Sequence, residues 1–217
     1  AALSTDQVDA LSTAQLAAME TRDVAALTAA QVTEIDASKL NTAGTGFIAA
    51  LSTAAVAALT TDQINTLTTS QIVALSTSQV KAITTAGVDA LTTAQLNAME
   101  TQDVAALSTA QVQGIAVADL ALLSTGNLNA LGTAQVAALT TAQVDALTTA
   151  QLNAMETADI AALTSAQVKA IAAADLTAMS TGQLNALGTA QFAALSTDQV
   201  DALSTAQLAA METRDVA

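Results

Sequence analysis

The chain has 217 residues, five of them basic and 19 acidic, for a net charge of −14, and it holds no cysteine, histidine, proline, tryptophan or tyrosine. The missing thiol and imidazole exclude disulfides, most nucleophile–base pairs and most transition-metal sites, and so few cations on so acidic a chain exclude a nucleic-acid surface. No apolar run approaches the roughly 18 residues that a membrane span needs.

From the start the chain is organised by one eight-residue unit. Leu3-Ser4-Thr5-Asp6-Gln7-Val8-Asp9-Ala10 is followed at once by Leu11-Ser12-Thr13-Ala14-Gln15-Leu16-Ala17-Ala18, and the phase holds to the end. With positions lettered a to h, position a falls at residues 3 to 211, which makes 27 octads. Position f is Val, Leu, Ile or Phe in all 27, and position a is Leu, Ile or Met in all but one, Ala43. Position c is Thr in 22 octads, and e is Gln or Asp in 22. So short and strict a period marks a repeat architecture.

Ser or Thr at b with Gln at e has the spacing of a capping box. The hydroxyl accepts from the backbone N–H at e, and the amide oxygen accepts from the N–H at b. Positions a and f then become the two halves of a hydrophobic staple. Each octad therefore predicts a short helix of about six or seven residues, followed by a bend. The fold expected is all-α: a solenoid of short helices, one per octad. A long helix or coiled coil is an alternative, but an eight-residue period drifts about 80° per unit and smears the apolar stripe. A β-solenoid is another, but a and f are an odd number of residues apart and would face opposite sides of a strand. Two buried aliphatic side chains do not offset the conformational cost of ordering eight residues, so octads must stabilise one another by stacking.

Variant octads punctuate the array. Wherever e is Asp, b is neither Ser nor Thr: Glu20/Asp23, Glu100/Asp103, Ala116/Asp119, Glu156/Asp159, Ala172/Asp175 and Glu212/Asp215. An Asp in the first turn favours the helix dipole in place of a cap. Asp36/Lys39 is a third version, with an ion pair available. Glycines at Gly44, Gly46, Gly126, Gly132, Gly182 and Gly188 read as sites of altered bend or close backbone approach. The Thr140/Gln143 pair reads as one cap, and its removal by alanine as a loss of about 1–2 kcal/mol.

A longer order lies over the octads. Residues 193–217 repeat residues 1–25, a shift of 192 residues or 24 octads. Within it, the segment 91–99 returns at 147–155, and at 203–211 with two changes, at steps of 56 residues or seven octads. The domain reading is one repeat array over 1–217, with 1–192 a single long unit and 193–217 the start of the next copy. If these modules are in phase with the coil, a turn takes between three and four octads.

Enzymatic activity is not expected, since nothing near the many hydroxyls is a plausible base. The Glu-Thr-x-Asp pairs Glu20/Asp23, Glu100/Asp103, Glu156/Asp159 and Glu212/Asp215 are the only carboxylate clusters. Hard cations take several oxygen ligands, so Ca²⁺ is the metal they suit, provided that turns stack the pairs. Otherwise they are variant helix starts and the protein needs no cofactor.

The octads resemble the Leu-Thr-Thr-x-Gln-Val-x-Ala-Leu repeats of very large, acidic bacterial surface and secreted proteins of adhesin-like type. That resemblance covers all 27 octads and implies an extracellular or cell-surface role. Leu139-Thr140-Thr141-Ala142-Gln143-Val144 also looks like the helix start of TAL-effector repeats, but their longer period and base-reading residues are missing, so DNA binding is not carried over. The function expected is structural: a segment of an extracellular fibre, as in a sheath, surface layer or adhesin stalk, that self-associates end to end and can also do so laterally. A ligand-binding surface repeat, for Ca²⁺ or ice, is the alternative.

Overall fold

The computed structural model describes residues 3–211. Their secondary structure is α-helical throughout, in 26 short helices at eight-residue spacing, with neither a strand nor a continuous long helix among the described residues. Helices run five or six residues, and one, Thr189–Phe192, runs four. They are shorter than the octad suggested because the backbone leaves the helix at h or a. Leu67, at a, is extended with φ −57° and ψ 141°.

Most helices start at a side-chain cap, although those that begin after Glu20, Asp36, Gly44, Glu100, Ala116, Glu156 and Ala172 have none. At Thr61–Thr66, Thr60 is the N-cap, its hydroxyl accepts from the Gln63 N–H at 3.2 Å, and Gln63 Oε1 accepts from the Thr60 N–H at 2.9 Å. Gly132 and Gly188 stand at b without a hydroxyl, yet each N-terminus keeps half the box: Gln135 Oε1 accepts from the Gly132 N–H at 2.7 Å, and Gln191 Oε1 from the Gly188 N–H. Among the glycines marked in the sequence, only Gly44 requires its lack of a side chain for conformation, with φ +88° at the N-cap of Thr45–Ala50. Gly126 and Gly182 approach no backbone closely. The close approach lies at Gly114 instead, where a Cβ would come within 2.9 Å of the Thr85 carbonyl oxygen.

The chain forms two compact units, one running to Ile115 and one beginning at Ala116. Each is an α-solenoid. In the first unit the helix Thr61–Thr66 stacks on Ala37–Thr42, and in the second Thr197–Ala202 stacks on Ala173–Ala178; in both cases the partner lies three octads back. Side-chain bonds between turns join residues 25 to 31 positions apart. These offsets fall between three octads and four, so a turn takes between three and four octads.

The core is a line of a, e and f side chains, with h half-buried and b, c, d and g mostly in solvent. Positions a and f are as the staple pattern predicts. The repeated 25-residue sequence shows which neighbour covers which position, because identical octads sit in different surroundings. Val8 is 0% exposed and Val200 43%; Leu16 is 0% and Leu208 45%. Gln7 is exposed, whereas Gln199 is buried. Position f is thus sealed by the turn that follows, and e by the turn that precedes. The aberrant octad at Ala43 keeps the same positions buried with different residues, Ala43 at a and Phe47 at e.

Candidate functional site: the glutamine ladder between turns

Among the described residues, position e is the one place where a polar side chain is regularly buried. Gln95 Oε1 accepts from the Thr92 N–H at 2.7 Å and from the Thr92 hydroxyl at 3.0 Å. Its Nε2 donates to the carbonyls of Ile64 at 2.8 Å and Leu67 at 2.7 Å, on the preceding turn. These acceptors stand at position f four octads back and position a three octads back, and the pattern recurs. Gln63 takes Val32 and Ile35, and Gln111 takes Val80 and Ile83. In the second unit Gln151 takes Leu120 and Leu123, Gln167 takes Val136 and Leu139, and Gln183 takes Leu152 and Met155. One side chain therefore caps its own helix and ties it to the turn before, with both its amide oxygen and its amide nitrogen engaged.

A second tie runs the other way. Asn65 Nδ2, at g, donates to the Ala90 carbonyl 25 residues on at 3.0 Å, and Asn129 and Asn185 do the same to Ala154 and Ala210. Capping logic misses both ties, because neither partner is local. One signal is present in the sequence. Ser52 and Thr84 cap their helices with Ala55 and Gly87 at e, so the cap does not need glutamine and the recurrence of Gln requires a further cause.

Lys39 corrects the expected ion pair. It stands at e and reaches back a full turn, with Nζ 3.3 Å from the Asp9 carboxylate and donating to the Asp9 carbonyl, rather than pairing with Asp36. Position e aims long side chains at the preceding turn, and Lys39 follows that geometry.

The acidic pairs divide by the same rule. Asp103 is buried at e and accepts from the Thr77 hydroxyl of the preceding turn at 2.7 Å, while Glu100 at the N-cap accepts from Gln102 at 2.6 Å. Asp175 likewise accepts from the Thr149 hydroxyl. Glu20 and Asp23 are exposed, and Glu20 pairs with Arg22 at 2.9 Å. Such a solvated ion pair adds little stability. Glu156 is exposed beside Asp159, which is buried and whose carboxyl is pushed above the ordinary range, first by burial and then by the Glu156 charge. Glu212 and Asp215 lie outside the described residues. Among the described residues no three acidic side chains come together as a metal would require. Chelating divalent cations with EDTA is therefore expected to leave the thermal melt unchanged, and calorimetry with added Ca²⁺ checks it.

No helix among the described residues is long and apolar enough to cross a membrane. Outward-facing positions carry mainly Thr, Ser, Ala, Asp and Asn, a wet surface with few large apolar side chains. No curated protein matches the chain. A family model of the ALTTAQ repeat matches at residues 44–77, 69–99, 112–149, 144–172, 152–189 and 168–205, together more than two thirds of the chain. The chain belongs to the ALTTAQ repeat family.

Proposed function

We propose that this protein is structural: a length of solenoid that extends a fibre on or outside the cell, such as a sheath, a surface layer or an adhesin stalk. The observation that carries the reading is the junction between the two copies of the long unit. Residues 193 onward begin the sequence of residue 1 again, in phase with the octad. Gln199 there donates to Val168 at 3.0 Å and Ile171 at 2.7 Å, and Gln207 to Leu176 and Met179 at 2.9 Å each. Those are the bonds that Gln151, Gln167 and Gln183 make in the interior, so a new copy joins an old one without any special interface. A unit that adds to itself by the same operation at every step generates an open array wherever the rotation does not close on itself.

The surface chemistry supports the same reading. Contacts between coils fall on b, c, d and g, which makes a lateral interface hydrogen-bonded and hydrated. The net charge of −14 keeps exposed arrays apart and soluble. A structural coil asks of its outward threonines only that they stay small and polar. Thr69→Ser and Thr85→Ser are expected to leave assembly and melting unchanged, whereas a surface that matches a lattice through its methyl groups loses binding.

Electron microscopy of the native material tests the proposal. Continuous thin filaments whose axial repeat accommodates 24 octads agree with it. Discrete globular particles with no continuation overturn it.

A further inference from the structure

One turn of the first unit lacks the glutamine ladder on its earlier side. Lys39, Phe47 and Ala55 stand at e in three successive octads, and nowhere else along the chain do even two neighbouring octads lack an amide there. Their helices, Ala37–Thr42, Thr45–Ala50 and Thr53–Ala58, stack on Thr13–Ala17, Thr21–Ala25 and Ala29–Thr33. On its later side the same turn is tied in full: Gln63 donates to the Ile35 carbonyl at 2.7 Å, Gln71 to Leu40 at 2.8 Å and Gln79 to Leu51 at 2.8 Å. On its earlier side the Phe47 and Ala55 side chains have nothing to donate. The asparagine that reaches forward from g elsewhere is also missing, since the earlier turn has Ala17 and Ala25 at that position.

What holds these turns together is apolar packing and one polar contact. Val8, Leu16 and Val24 stay buried at f. Lys39 Nζ stands 3.3 Å from the Asp9 carboxylate and donates to the Asp9 carbonyl. Among the described residues no other hydrogen bond or ion pair joins residues 3–27 to residues 35–58. The earlier turn is instead closed on itself, for Gln31 Nε2 donates to the Leu3 carbonyl at 2.7 Å. An open groove of about 550 Å³ is lined by Thr21, Arg22 and Ala25 of the earlier turn and by Gly46, Ala49 and Ala50 of the later one.

We infer that this contact is a latched seam: the helices Thr5–Asp9, Thr13–Ala17 and Thr21–Ala25 part from the next turn as one piece, and the Lys39–Asp9 pair is the latch that holds them. Parting the next two turns breaks the bonds of Gln63, Gln71 and Gln79, each to buried carbonyls. Parting the turns at the seam breaks only the lysine contact. Local opening begins where the fewest ties are lost, so the seam opens first. An ion pair with an exposed carboxylate weakens as salt rises, whereas a buried amide rung is neutral and does not. Salt therefore works the latch. The device stands in this fold whether or not the protein builds fibres.

Residue-resolved amide hydrogen exchange of the full chain tests this, at about 20 mM and about 500 mM salt. The amides of the three helices are expected to share one opening rate and to exchange faster than those of Thr61–Thr66, Thr69–Val73 and Thr77–Ala82. Lys39→Met removes the charge and keeps an apolar side chain at e, as Phe47 does. It is expected to speed exchange in the three helices about tenfold at low salt and to leave the glutamine-tied helices unchanged. The gap from wild type should narrow at high salt, where the pair is screened. Salt relieves repulsion over the whole acidic surface of both proteins, so the difference between them isolates the latch. Lys39→Gln, which by the ladder offsets faces the Val8 and Leu11 carbonyls, is expected to restore protection without the salt dependence. If Lys39→Met fails to fold, Asp9→Asn, a change at an exposed residue, is expected to show the same pattern at about threefold. Exchange in the three helices as slow as in the glutamine-tied ones overturns the inference. Rates that fall steadily from the first helix onward, as simple fraying gives, overturn it too, as does a variant whose effect is absent or spread evenly over the unit.

Discussion

Replacing Gln167 with glutamate is expected to destabilise the second unit by about 3 kcal/mol at neutral pH, although it exchanges one NH₂ group for an oxygen. Gln167 Nε2 donates to the Val136 carbonyl at 2.9 Å and the Leu139 carbonyl at 2.7 Å, both buried. Glutamate keeps the oxygen that accepts from the Thr164 N–H at 2.6 Å, so the cap survives. What is lost is both donors to the preceding turn, and what is gained is a buried charge that faces carbonyl oxygens. Thr164→Ala is the control. It removes the hydroxyl that accepts from the Gln167 N–H at 3.2 Å and leaves the inter-turn bonds alone, for a loss of about 1 kcal/mol. Urea denaturation followed by circular dichroism, at neutral pH and again in acid, measures both. Glutamate no worse than the alanine control would reduce position e to a capping role.

Val144→Asp carries a larger expected effect, above about 4 kcal/mol. Val144 stands at f, is 1% exposed, and lies in the helix Thr141–Asp145 of the second unit. The substitution removes apolar area from the core and puts in its place a carboxylate with no partner. Val144→Ala, which only leaves a cavity, is expected to cost about 2 kcal/mol. The form of the damage matters as much as its size. Each turn is held by its neighbours, so the break should stay local: helices one turn away lose amide protection while distant turns keep theirs. Hydrogen exchange resolved by residue distinguishes this from global unfolding. An unchanged melt would refute the core assigned to position f.

Among the described residues, the helix of most octads is legible in the sequence because its causes are local. Ser or Thr at b and Gln at e stand three residues apart and state the N-terminus. The aliphatic residues at a and f state the two sides to be buried. Period alone disfavours the alternatives, and neither a long helix nor a strand occurs among the described residues. The contacts between turns are not legible, because a local reading cannot see what lies 25 to 31 residues away. Hence the sequence makes Gln63 half of a cap, while its amide nitrogen holds Val32 and Ile35. It makes an ion pair available between Lys39 and the N-cap Asp36, and the lysine is found on Asp9. It offers Asp103 as a ligand for a cation, and the carboxylate is found accepting from Thr77. The Gln63 cap stands as read, and what the three cases share is a side chain at e that crosses to the turn before.

The octad alone, tied to neighbours one turn away, holds the array together. Equilibrium unfolding of a length series tests this most directly. The 56-residue module 147–202 would be repeated once, twice and three times within the chain, and the unfolding free energy measured for each. If every added turn is tied by the same glutamine bonds, stability rises by an equal increment per module and helical signal grows in proportion. A stability that stays fixed, or saturates after the first added module, would contradict this, because it would show that the fold depends on one particular core and not on the repeat.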